Sequence, residues 1–455
     1  MTGSERRSVF SLALLYSMRM LGLFMVLPVF MLLGQDLDGA TPQLIGMAMG
    51  AYGLSQAFLQ IPFGMLSDRV GRKPMILLGL ALFCLGSLLA GHADSIYGVI
   101  AGRLLQGAGA IASVLMALLT DLTTEENRTK AMAAIGMSIG VSFSVALVLG
   151  PVIGGMFGLS GIFYTTAFLA LVGVFIVLAW VPTPVTRKRH RDTLLVRKEL
   201  GGALSNPHLL RLNSGIFFLH MILTATFVAV PLSLAERVGL DKSQHWWFYL
   251  SVMVTAFFSM VPFIIIGEKR RKMKPVFVGA VALLTFSMML AQWGQSGLMR
   301  FWGALFLFFM AFNLLEATLP SLVSKQSPAG AKGTAMGIYS TSQFLGAFVG
   351  GSMGGYILSH WGLDVIYLII AGVGLVWLFI AASMQSPSYS TSMLLNIGCV
   401  VDSVAAGRLS EALLAVGGVE DVVVLPEEGM AYLKVDKAHL DENALSAYGK
   451  LTVAA

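Results

Sequence analysis

The chain has 455 residues, of which 56% are hydrophobic and only 12% charged, about half the charge of an average soluble domain. So few charges cannot dress the surface of a soluble body this large, which excludes a soluble enzyme and a disordered chain. Two cysteines, Cys84 and Cys399, exclude a disulfide scaffold and a Cys-rich metal site, and a polytopic helical membrane protein remains.

Twelve apolar runs follow one another, each of about 20 residues and so long enough to cross a hydrocarbon layer about 30 Å thick. Spans 1–6 are read at 9–33, 44–66, 75–90, 96–119, 131–157 and 162–181. Spans 7–12 are read at 209–234, 246–266, 275–293, 298–322, 333–358 and 363–384. The first run is too long for a signal peptide, contains Arg19 and shows no small-residue cleavage site, so it reads as a retained helix. Twenty basic residues crowd the N-terminus and the even-numbered loops, whereas the odd-numbered loops carry Arg237 and Lys242. The positive-inside rule then predicts both termini in the cytoplasm. The basic charge is accounted for by topology, and no nucleic-acid partner is expected.

The two sets of six spans resemble each other. Gly136, Gly150, Gly154 and Gly155 recur about 200 residues later as Gly337, Gly350, Gly354 and Gly355. Parallel six-helix halves are a transporter pattern, with the substrate site near the midplane between them. The predicted organisation is a six-helix half at 1–181, a cytoplasmic connector at 182–208, a second half at 209–384, a Ser- and Pro-rich linker at 385–392 and a soluble cytoplasmic domain at 393–455. That last domain carries a net charge of −5 and the rest of the chain +11. Its pattern predicts a strand at 394–400, a helix at 404–416, strands at 419–425 and 430–435, and a helix from Asp441, a small βαββα domain. An acidic tail can rest on the basic stretch from Arg187 to Lys198.

Three places carry candidate chemistry. The loop after span 2 reads Gly64-Met65-Leu66-Ser67-Asp68-Arg69-Val70-Gly71-Arg72-Lys73-Pro74. Gly64 permits close helix approach, Gly71 a tight turn and Pro74 the first turn of span 3. One carboxylate among three cations is poised for alternative ion pairs, although an ordinary basic loop would also read this way. Four ionisable residues lie deep in spans: Arg19, Arg103, His220 and Glu316. Such charges are costly unless paired or hydrated, and they often mark a pathway. Glu316 is the only deep carboxylate and the candidate proton carrier. The competing reading makes it a structural partner of Arg19 or His220. Gly150-Pro151 with Gly154 and Gly155 places small residues and a mid-helix proline in span 5, for packing or for a bend. A G-x-S-x-G match at 136–140 lies inside an apolar helix rather than a strand–turn–helix elbow, and no Walker sequence is present. No enzyme activity, cofactor or metal is expected.

These residues carry a family resemblance. The 64–74 loop resembles the signature of the major facilitator superfamily, G-x-L-x-D-R-x-G-R-[KR]. Arg103-Leu104-Leu105-Gln106-Gly107 resembles its second motif, and Gly140 with Gly150-Pro151-Val152-Ile153-Gly154-Gly155 that of its antiporter branches. Leu21-Gly22 with Leu27-Pro28 is similar to twelve-span drug:proton antiporters, and the tail resembles members with a ferredoxin-like cytoplasmic domain. The resemblance implies a multi-pass protein of the bacterial inner membrane that exports a small molecule in exchange for protons by alternating access. It implies a cytoplasmic latch of Gly64, Asp68, Arg69, Gly71, Arg72, Lys73 and Asp121, closed against the positive end of span 11. It implies a proton-transfer role for Arg103 beside Glu316, His220 and Arg19, and a seal against proton leak by the span 5 glycines. The alternatives are a sensor with an inactive transporter body and a proton-coupled importer.

Overall fold

The computed structural model describes residues 1–182, 201–202, 204–327, 332–385, 391–397, 403–426, 429–436, 439–448 and 450–452. Its helices in chain order are α1 Gly3–Phe24, α2 Phe30–Leu33, α3 Pro42–Val70, α4 Arg72–His92, α5 Ile96–Ala108, α6 Ala112–Asp121 and α7 Glu125–Ala179. Then come α8 Pro207–Leu232, α9 His245–Lys269, α10 Met273–Gly294, α11 Leu298–Gln326, α12 Lys332–Trp361 and α13 Ile366–Ala382. Among the described residues eight helical segments are long and apolar enough to cross a membrane, and α13 is a shorter apolar helix. The predicted first span is split into α1 and α2, the fourth into α5 and α6 around Gly109, and the fifth and sixth run together as α7. Gly158, at a φ of 65° that only glycine adopts freely, turns the chain between those two.

The halves meet at the end of the bundle remote from the basic loops, called here the distal end. Glycines let two backbones touch there. A Cβ on Gly46 would lie 2.8 Å from Gly355 Cα, and one on Gly50 would lie 2.7 Å from Phe348 Cα, so α3 and α12 approach more closely than any side chain allows. The approach continues to Thr341, whose hydroxyl reaches the Ala57 carbonyl at 3.5 Å. Phe143 of α7 adds aromatic contacts to Phe227 of α8 and to Phe309 and Phe312 of α11. Met25, Phe30, Ile45 and Met49 accordingly belong to one apolar core with α8–α13, whereas Leu12, Leu15, Ile76, Leu118 and Val177 form a separate core toward the basic end. α8 is buried over almost its whole length and is a central helix. The sequence repeat has a physical counterpart. Gly150 closes on the Met25 carbonyl and Gly350 on the Met221 carbonyl, so one glycine in each half lets its helix lie against the first helix of that half.

The basic end is tied by Glu5. Thr2 caps α1 and Glu5 returns the bond to Thr2 N–H at 2.7 Å. The same carboxylate accepts from the Thr124 N–H and hydroxyl, both at 2.8 Å, and from Asn127 Nδ2 at 3.1 Å. The start of α1 is thereby fastened to the start of α7.

The C-terminal domain is a four-stranded antiparallel sheet. Its strands are β1 Thr391–Asn396, β2 Val419–Leu425, β3 Met430–Val435 and β4 Lys450–Thr452, in the order β2-β3-β1-β4. Helices α14 Ser403–Leu414 and α15 Glu442–Ser446 complete it. The core is Met393, Leu395, Leu413, Val422, Leu433, Val435 and Leu445. The expected β2 and β3 have the observed bounds, the first strand begins three residues earlier than expected, and a fourth strand extends the expected βαββα reading by pairing with β1. Three residues are too few to show the period-2 pattern from which strands are read. The expected docking stretch from Arg187 to Lys198 falls among residues 183–200, outside the described residues. The contacts that are described run elsewhere: Arg271 pairs with Asp436 at 3.4 Å, and Lys434 donates to the Lys325 carbonyl.

Two predictions follow from this packing. Gly50→Val forces α3 from α12, so spin labels at Gln43→Cys and Tyr356→Cys should report a longer distal-end distance; an unchanged distance would contradict the backbone contact. The N–H groups of Thr124 and then Thr2 bring the Glu5 carboxyl down from 4.5 to about 2. A depressed carboxyl stabilises the fold fully above pH 4.5 and loses that contribution as pH falls toward 2. Glu5→Gln should therefore lower the thermal midpoint by the same few degrees at about pH 8 and about pH 6. A deficit that disappears at the lower of those pH values would rule out the bonded carboxylate as its source.

Candidate functional site

Two polar clusters lie inside the apolar body, one in each half. In the C-terminal half, α8 supplies His220, α11 Glu316 and α12 Gln343. The Gln343 amide nitrogen lies 3.3 Å from Glu316 Oε1 and 2.8 Å from His220 Nε2. One NH2 group thus bridges the two groups able to take a proton. Donation to the imidazole requires the neutral ring with its proton on Nδ1. Glu316 Oε2 faces His220 Nε2 at 3.8 Å, and has no hydrogen-bond partner among the described residues. A third of the Glu316 side chain is accessible, but Oε2 itself is buried. Phe312 packs its ring on His220 at 6.0 Å.

In the N-terminal half, Arg19 of α1 reaches α3. Its Nη2 donates to Tyr52 Oη at 2.7 Å, to Gln56 Oε1 at 2.8 Å and to the Gly109 carbonyl at 3.1 Å. Gln56 in turn donates to Gln60 Oε1 at 3.0 Å, one helical turn away. The break between α5 and α6 is what frees the Gly109 carbonyl for Arg19. Arg103 is placed differently. Its Nε and Nη2 donate to the Ala48 and Met49 carbonyls, its Nη1 to Gln106 Oε1, and the guanidinium lies 5.4 Å above the Tyr52 ring. Gln106 continues to the Ser87 hydroxyl at 2.8 Å. Arg103 joins α5 to α3 with all three nitrogens engaged.

The basic-end loop brings three of the expected residues, Asp68, Arg72 and Asp121, together. Arg72 pairs with Asp68 at 2.6 Å and with Asp121 at 3.2 Å, and donates to the Ser67 hydroxyl at 2.5 Å. Gly71 has a φ of 119° and makes the turn between α3 and α4. A Cβ on Gly64 would press on Ser113 Oγ at 3.1 Å. Arg69 is exposed and Lys73 half-buried. Span 11, whose positive end was expected to face Asp68, begins at Lys332 as α12, directly after residues 328–331, which lie outside the described residues. At the distal end Gly154 lies against Leu33, and Pro151, Gly154 and Gly155 line a cavity of about 690 Å³ with Val29, Asp241 and His245. Gly140 faces open space.

Of the four deep ionisable residues, His220 and Glu316 are brought together, while Arg19 and Arg103 each bond within the other half. Tyr52, Gln56, Gln60 and Gln343, which build the two clusters, were not singled out from the sequence. The available signal was a glutamine inside an apolar run, doubled at i,i+4 in Gln56 and Gln60.

Residues 12–351, well over half of the chain, match the Major Facilitator Superfamily. The chain belongs to that superfamily. It is 48% identical over 437 residues to the inner membrane transport protein YajR of Escherichia coli (strain K12), an alignment covering 96% of this chain and 95% of that one. Multidrug resistance protein 2 of Bacillus subtilis (strain 168) is 27% identical over 380 residues, 77% of this chain and 90% of its own. Among solved structures, the human organic anion transporter MFSD10 superposes with a TM-score of 0.62 at 20% identity, over 84% of this chain and 100% of that one, a likeness of fold. The protein is a transporter with a membrane-embedded helical body.

Asp68→Asn leaves Arg72 with Asp121 and Ser67, so it should fold and reach the membrane in normal amount. Uptake or efflux by proteoliposomes should fall severalfold, and an unchanged rate would sink a working role for the Asp68–Arg72 pair.

Proposed function

We propose that this transporter is a twelve-span, proton-coupled antiporter of the bacterial inner membrane that exports small molecules by alternating access, with both termini cytoplasmic and a ferredoxin-like C-terminal domain. The observation that carries the reading is the Gln343 amide held between Glu316 and His220. A carboxylate with one oxygen bonded and the other unpartnered, next to a neutral imidazole, is a site that can gain and lose a proton without rearranging its neighbours. Charge on Glu316 is costly in the closed bundle, whereas the protonated acid is not. Proton binding therefore favours closing the halves around the site, and release favours reopening. With the basic loops cytoplasmic, packing of α3 on α12 at the distal end corresponds to a state closed toward the periplasm. The Arg72 ion pairs sit where the halves must meet in the opposite state, and so serve as the latch. Gly150, set tightly against Met25 and Pro28 just beyond α1, supports the seal expected of an exporter. Its similarity to an inner membrane transport protein and to a multidrug resistance protein supports the same direction.

In proteoliposomes, Glu316→Gln should abolish substrate-dependent proton movement while leaving binding of substrate measurable. Glu316→Asp should retain part of it. Full proton movement by the Gln variant would falsify the coupling role.

A further inference from the structure

The two arginines, one imidazole and one acid buried at mid-depth are not balanced in the same way. Glu316 has His220 within 3.8 Å and the Gln343 amide between them. Arg103 has each of its three nitrogens bonded. Arg19, only 2% exposed, concentrates all its bonds on Nη2, and its partners there are a phenol, an amide and a backbone carbonyl. Its Nε and Nη1 are buried and have no partner among the described residues. A guanidinium cannot discharge itself by losing a proton, so it remains a cation with unused donors in an apolar interior. A helix clamp would have used those donors, as Arg103 does.

The place fits a ligand site. Tyr52, bonded to Arg19, packs edge-on against Phe344 of α12 at 6.2 Å, and Phe344 adjoins Gln343 in sequence. The Arg19 cluster therefore lies on the interface between the halves, near the depth of the Glu316 cluster and across from it, where parallel-repeat transporters bind substrate. Gln60 holds the Gln56 amide so that its oxygen faces Arg19, which fixes the guanidinium before any ligand arrives. Phe83, whose ring centre is 6.0 Å from the Arg19 guanidinium carbon, and Tyr52 wall the group with aromatic surface.

We propose that Arg19 receives the anionic group, a carboxylate or sulfonate, of the transported molecule, and that the substrates of this transporter are organic anions with an apolar or aromatic body. The proposal deepens the transport reading above and rests on it. The N-terminal half holds the anion and the C-terminal half the proton. Rocking of the halves parts Tyr52 from Phe344 and uncovers the guanidinium to one side of the membrane.

Binding tests this without a proton gradient. Full-length protein in lipid nanodiscs is titrated with naphthalene-2-carboxylate, naphthalene-2-sulfonate and naphthalen-2-ylmethylammonium, and thermal stabilisation is followed. The two anions should stabilise the wild type and the ammonium should not. Arg19→Lys, which keeps the charge but loses the planar fork, should raise half-saturation by about tenfold, and Arg19→Gln should abolish the shift. Stabilisation by the ammonium alone, by none of the three probes, or by the anions equally in the Arg19→Lys and wild-type proteins overturns the proposal. If Arg19→Gln does not fold, the charge preference of the wild type and the Lys variant still decide. Failure of proton coupling at Glu316 would leave this binding result intact, so the two readings fail separately.

Discussion

The contact on which the rest depends is the backbone approach of α3 to α12. Lipid tails are as apolar as leucine, so helices in a bilayer gain little from hiding apolar side chains from each other, and close packing of backbones takes over. Gly46 and Gly50 on one helix and Gly351 and Gly355 on the other provide that closeness. The contact joins the two halves through the distal part of the bundle. One turn below it stand Tyr52 and Phe344, and beside them Gln343. The glycine seam thus sets the relative position of the two polar clusters as well as the closed end of the molecule.

A second constraint acts within that frame. Without water, each buried polar group must find a partner in the protein. Most do so locally: Thr166, Thr224, Thr285 and Thr318 return their hydroxyls to carbonyls a turn back. Arg103 meets the constraint completely, and the result is a clamp between α5 and α3. Glu316 and His220 meet it through a single shared amide, a weaker arrangement that a proton can change. Arg19 meets it on one nitrogen of three. The gradation from satisfied to unsatisfied separates groups that hold the bundle together from groups with chemistry left to perform.

Much of the architecture was legible in the chain. Apolar length, basic loops and the recurrence of glycines after about 200 residues pointed to a helical body with several spans, because each reports a local property: hydropathy, charge or backbone size. The Asp68–Arg72 pair was legible for the same reason, since the two are four residues apart in sequence, on either side of the Gly71 turn. Asp121 was linked to them by family resemblance. Gln343 was missed because a lone amide in an apolar run has no period or spacing to mark it, whereas Gln56 and Gln60 carried an i,i+4 spacing that was not weighed. The breaks at Gly109 and Gly158 were missed because glycine is frequent in these helices, and only the folded path reveals which ones bend it.

By itself the sequence determined that this is a multi-pass helical transporter with a small acidic α/β tail, because bilayer thickness and the cost of buried charge act on every residue locally. Which deep charges meet was decided by tertiary structure alone. The sequence was equally consistent with Glu316 paired to Arg19 or to His220. The partners come from different helices, and only the packing of α8, α11 and α12 brings His220, Glu316 and Gln343 together while α1 and α3 keep Arg19 in the other half. A charge signals its cost along the chain, but its counter-charge is a matter of distance in space.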